Sequence, residues 1–176
     1  MQDRQRSYRY AGPAHLKTAI RADSAGHPIR SRNDFDDWIA ERTPAELAEP
    51  FTFVVDMDGV LRLAPRRSEH VACAGGGPVL SAGEISFSGE AGRWTVVEVS
   101  NHSTGYCPDT SSWTAVAAAL DRACLGYPPG FTQEVVFRRC PTCQERNIVR
   151  EDDFVCVFCG SDLPALWNVD SFDESP

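Results

Sequence analysis

The amino-acid sequence predicts an α+β chain: an antiparallel β-meander with one main helix, followed by a small cysteine-bound unit at the C-terminus. Three observations lead there. Residues 51–64, FTFVVDMDGVLRLA, carry apolar runs on either side of Asp58-Gly59, a dipeptide that supplies the positive backbone torsions of a tight hairpin. Trp113, Val116, Ala117, Leu120 and Cys124 recur at helical spacing. Four of the seven cysteines fall in two matched C-x-x-C pairs, Cys140 with Cys143 and Cys156 with Cys159.

In chain order, residues 1–33 show no sustained apolar period and hold seven basic residues against two acidic ones, which reads as a basic flexible arm. Such an arm suits an acidic partner, and its paucity of apolar residues suits a solvated leader. Asn33 is placed to cap a short helix with Phe35, Trp38 and Ile39 on one side. Thr43-Pro44-Ala45-Glu46 has the form of a capping box, with proline at the first helical position and glutamate at the third. Beyond the hairpin, residues 82–88 and 93–100 read as strands joined by a Gly-rich turn, and residues 60–93 show no helical period. Thr110 or Ser111 caps the main helix, Cys124 lies on its apolar face as a core residue, and Gly126 ends it. A strand over residues 134–137 leads into the cysteines. The organisation expected is a flexible arm over 1–33, an α+β domain over 34–137, a cysteine unit over 138–164 and an acidic tail over 165–176.

Composition narrows the function classes. At 176 residues the chain suits one ordinary domain with a small appendage. No apolar run approaches the roughly 18 residues that cross a bilayer, so no membrane association is expected. The opening MQDRQRSYRYAGPAH lacks the apolar core of a secretory signal. Seven cysteines, four of them paired at close spacing, favour a reducing compartment over a disulfide framework, and the expected location is cytoplasmic.

The segment C-P-T-C, twelve residues, C-V-F-C-G suits two knuckles closing on one tetrahedral ion through four thiolates. A glycine after Cys159 eases the second knuckle. Residues 138–163 resemble the zinc-ribbon family, and Zn2+ is the expected, structural, cofactor. Four protein ligands leave no open position for water or substrate, which argues against zinc catalysis there. The chain carries a formal charge of −8, and Arg138 to Asp162 holds four arginines against five acids. That charge disfavours nucleic acid and leaves protein docking as the better expectation.

FTFVVDMDGVL also resembles the first motif of the haloacid dehalogenase-like phosphatases, an apolar strand ending in D-x-D-G, and TVVEVSN resembles that family's second motif. The resemblance implies Asp56 as nucleophile, Asp58 as acid/base and a magnesium ion between them. Two requirements go unmet. The only lysine, Lys17, lies upstream of Asp56, and residues 60–93 offer no crossover helix for a parallel sheet. Asp58-Gly59 as a hairpin turn is the expected reading.

A broader resemblance spans residues 51–130. SEHVACAGGGPVLSAGEISF and VVEVSNHSTGYCPD are similar to a module of bacterial toxin-like proteins and plant IQ-motif calmodulin-binding proteins, of the pattern H-S-S-F-x-x-G-x-x-V-x-x-A-G-E, a strand, then S-N-x-S-G-H-Y-x-P. His70, Gly76, Val79, Ala82, Gly83, Glu84, Ser100, Asn101, Ser103, Tyr106 and Pro108 match in order; Val71, Ala72, Thr104 and Gly105 depart from it, and Cys73 and Cys107 stand where it has no cysteine. The resemblance implies an antiparallel sheet presenting His70, Ser103 and Tyr106 on one surface. With Glu84 these groups could form a nucleotide-using, ADP-ribosyltransferase-like catalytic pocket. Polar residues beside Gly-rich turns equally satisfy their own loops, and that reading is carried alongside. His70, Cys73, His102 and Cys107 also make a chemically legitimate metal set, although the apolar neighbours of Cys73 point to burial. The leading expectation is a cytoplasmic, zinc-binding adaptor with a toxin-module-like domain.

Overall fold

The computed structural model describes residues 5–90 and 92–170 and divides the chain into two compact units, the first running to Glu134 and the second starting at Val135. The division falls three residues before the one expected, because the strand leading to the cysteines pairs within the second unit. Among the described residues, no helix is long and apolar enough to cross a membrane.

The first unit is α+β, as predicted. Its elements are α1 (Ala14–Thr18), β1 (His27–Ile29), α2 (Arg32–Ala40), α3 (Pro44–Leu47), β2 (Phe51–Val55), β3 (Leu61–Ala64), α4 (His70–Cys73), β4 (Ser81–Ser88), β5 (Thr95–Val99) and α5 (Trp113–Arg122). The five strands form one sheet in the order β1-β3-β2-β4-β5, with every neighbouring pair antiparallel. β2, at the centre, is buried at all five positions, so both of its faces must be covered. Phe51, Phe53 and Val55 alternate onto the face packed against α2 and α5, where Phe35, Trp38, Ile39, Val116 and Leu120 close the core. α4 packs on β2 and β3, with Val71 and Cys73 buried and the Cys73 thiol 3.7 Å from the Arg62 carbonyl. Burial pushes that thiol up to about 12, which leaves it an inert core group.

Several local expectations hold for the reasons given. The β2–β3 hairpin turns through Gly59 at φ +77°, and Thr43 and Glu46 form the capping box reciprocally. Others are corrected. Ser31, not Asn33, caps α2, its hydroxyl accepting from the Asp34 amide. α5 stops at Arg122; Cys124, at φ +53°, takes the left-handed turn that ends it, before Gly126, and its side chain is exposed rather than in the core. Residues 70–73 form a single helical turn, too short to show a period.

The largest correction concerns the arm. Of residues 1–33, those from 5 onward are described, and they are built into the fold. Tyr8 is 1% exposed and pairs with Val79 through both backbone bonds, and β1 is an edge strand of the sheet, with His27, Pro28 and Ile29 opposite Leu63, Arg62 and Leu61. Pro28, with no N–H, suits an edge. A three-residue strand and one buried tyrosine leave no periodic signal, which is why the composition reads as a leader.

The second unit is a two-stranded antiparallel sheet, β6 (Val136–Arg139) and β7 (Arg146–Val149), followed by a loop carrying the second cysteine pair. Of the tail expected over 165–176, residues 171–176 lie outside those described. Residues 164–169 pack on β6: Arg138 donates from Nε to the Pro164 carbonyl and from Nη2 to that of Ala165, and Val169 is buried.

Candidate metal centre

Two knuckles of the same construction bring the four thiols together. In the first, the Cys140 amide donates to the Glu145 carbonyl and the Gln144 amide returns to the Cys140 carbonyl, both at 2.9 Å. In the second, the Cys156 amide donates to Ser161 at 2.8 Å and the Gly160 amide to Cys156 at 2.9 Å. Each turn needs a left-handed residue after its second cysteine. Gly160 supplies it at φ +78° without strain, and Gln144 takes it at φ +70°. β6 and β7 then hold the first knuckle at their closed end, and the loop after β7 folds the second against it.

The resulting donor set fits a tetrahedral ion. All four Sγ atoms lie within 4.8 Å of one another, with Cys140 3.6 Å from Cys159 and Cys143 3.5 Å from Cys156. Four sulfurs about 2.3 Å from a zinc ion stand roughly 3.8 Å apart, whereas a disulfide needs about 2.05 Å. All four cysteines are free thiols. Among the described residues this is the one group of three or more such side chains close enough for a metal; His70, Cys73, His102 and Cys107 do not form one.

The electrostatics of the cluster favour a cation. Burial pushes the Cys156 thiol up, but the Cys159 and Phe158 amides, the Asn147 amide and the Cys143 sulfur outweigh it and bring the thiol down to about 6. Ser161, through its hydroxyl and its amide, lowers Cys159. At Cys143 the Glu145 amide pulls down, yet desolvation and the three neighbouring sulfurs push the thiol up to about 12. Thiolates packed this closely repel one another, and a divalent ion between them removes the conflict.

Sequence reasoning missed Asn147. It is 3% exposed, and its side-chain amide ties the two knuckles: Nδ2 donates to the Cys156 sulfur at 3.4 Å and to the Glu145 carbonyl at 3.1 Å, while Oδ1 accepts the Val157 amide at 3.0 Å. The available signal was an asparagine inside a strand of branched residues, a position the residue type avoids unless its side chain is committed.

The other predicted site residues are used differently. His70 Nε2 lies 2.9 Å from the Gly83 carbonyl, which can only accept, so that nitrogen carries the proton. Tyr106 is fully buried and donates to the Gly77 carbonyl at 2.7 Å. Ser103, also buried, accepts the Tyr106 amide at 3.3 Å. Glu84 is exposed and lines a shallow groove of about 340 Å³ with Glu98, Ser100 and Gln133. Gly83 is required by packing, since a Cβ there would strike the Ser100 carbonyl. Ser103 therefore satisfies its own loop, the second of the two readings carried from the sequence, and the Tyr106 hydroxyl is committed to the Gly77 carbonyl 29 residues away. Asp56 and Asp58 follow the same logic: Asp56 Oδ1 accepts the Asp58 and Val60 amides at 2.9 and 3.0 Å, and Oδ2 pairs with Arg62 Nε at 2.8 Å. The carboxylate closes an antiparallel hairpin, and the parallel strand that phosphatase chemistry needs is replaced by that hairpin. No protein-family model, curated protein or solved structure matches the chain.

Proposed function

We propose that Cys140, Cys143, Cys156 and Cys159 hold a zinc ion as thiolates, that the ion is structural, and that the chain serves as a cytoplasmic adaptor docking a partner protein through the unit the metal holds. The observation that carries the reading is the convergence of four free thiols within 4.8 Å. A soft, tetrahedral all-sulfur set suits zinc, and four protein ligands leave no position for substrate. The buried cluster around the sulfurs holds Val149 and Leu163 beside Cys140 and Cys156, a small apolar core for which a bound metal supplies folding energy.

Docking is supported by the second knuckle, where Val157 and Phe158 stand 78% and 63% exposed in adjacent positions. Protein is favoured over nucleic acid because the Arg138 and Arg139 guanidiniums are committed to backbone carbonyls rather than held for phosphates. The likeness of residues 51–130 to the toxin-associated module enters the proposal as architecture, a platform whose polar motif residues hold its loops. Elemental analysis of the purified chain tests the zinc reading. One zinc per chain is the expected result; less than stoichiometric metal, or iron with visible absorbance, overturns it.

A further inference from the structure

Trp38 is 5% exposed, its ring packed edge-to-face on Phe51 and Phe87 and overlaid by the Arg42 guanidinium at 5.0 Å. A buried indole ordinarily gives its N–H to an acceptor. Among the described residues the Trp38 N–H has none, yet the nitrogen is not sealed inside the core. Trp38 borders a groove of about 420 Å³ in the first unit, between the C-terminal half of α2, the end of β3 and α4, and the N–H opens there. The rest of the lining is divided by chemistry. Leu63, Ala64, Pro65 and Ala72 make an apolar wall, with Ser68 and His27 beside it. Asp23, ahead of β1, and Glu69, at the N-cap of α4, make an exposed acidic rim, and neither carboxylate is held in a salt bridge or hydrogen bond among the described residues. Arg42 does not offset them, because it is committed to Glu41, Glu46 and the Trp38 carbonyl.

We propose that this groove holds the free N-terminal residue of a peptide chain, one with an aliphatic side chain. Each part of the lining calls for a part of that ligand. Asp23 and Glu69 call for a cation, and an α-ammonium takes charge-assisted hydrogen bonds from both. The Trp38 N–H calls for an acceptor, which the first peptide carbonyl supplies; without one the donor carries its desolvation cost unanswered. The wall of Leu63 and Pro65 takes the aliphatic side chain. The volume falls within the roughly 300–1,000 Å³ of small-ligand sites. A free amino acid suits the groove less well, because its carboxylate meets the same acids.

The site lies in the first unit and is independent of the zinc and adaptor readings. It is tested on the full chain by NMR, following the indole N–H resonances of the four tryptophans, with that of Trp38 assigned through its ring contacts with Phe51 and Phe87. The peptide amide Leu-Ala-Ala is titrated in parallel with its N-acetylated form, which lacks the cation, and with isopentylamine, which keeps the cation and side chain but lacks the carbonyl. The free peptide should shift the Trp38 resonance saturably and bind roughly tenfold or more tightly than either control, the size of one charge-assisted hydrogen bond. The double variant D23N/E69Q alters two exposed side chains without changing their shape, and should bring the free peptide down to the level of the acetylated one while the other indole resonances stay in place. A Trp38 resonance that ignores the peptide, equal binding of either control, or a preference that survives D23N/E69Q overturns the inference.

Discussion

Asn147 shows how one buried amide can serve two structural duties. It bridges the knuckles through the Val157 amide and the Glu145 carbonyl, and it places an N–H on the Cys156 sulfur. A hydrogen bond to a ligating sulfur orients it and spreads its charge, and removing such a contact typically costs about 10–100-fold in metal affinity. On the proposed zinc reading, Asn147→Ala is expected to weaken zinc binding by that order, read as a shift in competition with a chromophoric chelator. The four ligands remain, so stoichiometric loading should persist at high zinc; an unchanged affinity would remove Asn147 from the site. Arg138 carries a similar lesson. Counted by charge it is a surface cation, yet it is 7% exposed, bonded to three carbonyls and stacked 5.6 Å from the Phe154 ring.

At the scale of elements, α4 is fastened to the sheet by His70, whose protonated Nε2 meets the Gly83 carbonyl on β4. Desolvation there lowers the imidazole below its usual 6.5, outweighing the Gly83 bond and the nearby Glu84 and Glu69 charges. The folded chain thus keeps His70 neutral down to a lower pH than the unfolded chain does. In the window below 6.5 the unfolded state binds more protons, so stability is lost as pH falls through it and regained as pH rises. Melting temperature measured across that window should decline with acidification, and His70→Gln, which keeps a donor but cannot titrate, should flatten the slope. An equal slope in the variant would show that another group controls it.

Element by element, legibility in the sequence followed the length of the signal. The β2–β3 hairpin, the capping box of α3 and the cysteine knuckles announce themselves through local residue chemistry, and all three are found where that chemistry puts them. β1, α4 and the backbone tie of Tyr106 depend on partners elsewhere in the chain. Three or four residues complete neither period, and a polar side chain in a loop looks alike whether it faces a substrate or its own backbone. Asp56 is the sharpest instance, since its D-x-D-G surroundings fit phosphoryl transfer while its oxygens are occupied by two amides and Arg62.

For the molecule as a whole, the two units draw on different sources of stability. The first has a continuous apolar core running from Ile29 to Leu125, whereas the second assembles a few residues around its sulfurs. On the proposed zinc reading, a chelator should therefore abolish hydrogen-exchange protection across residues 135–170 and leave the amides of β2 and β4 protected. Collapse of protection in both, or in neither, would contradict the division. The place of β1 has a practical bearing on how the protein is handled. Trimming the first thirty residues to obtain a tidier sample would strip the border from the sheet, bare the main chain of Leu61 and Leu63, and invite neighbouring molecules to stick there.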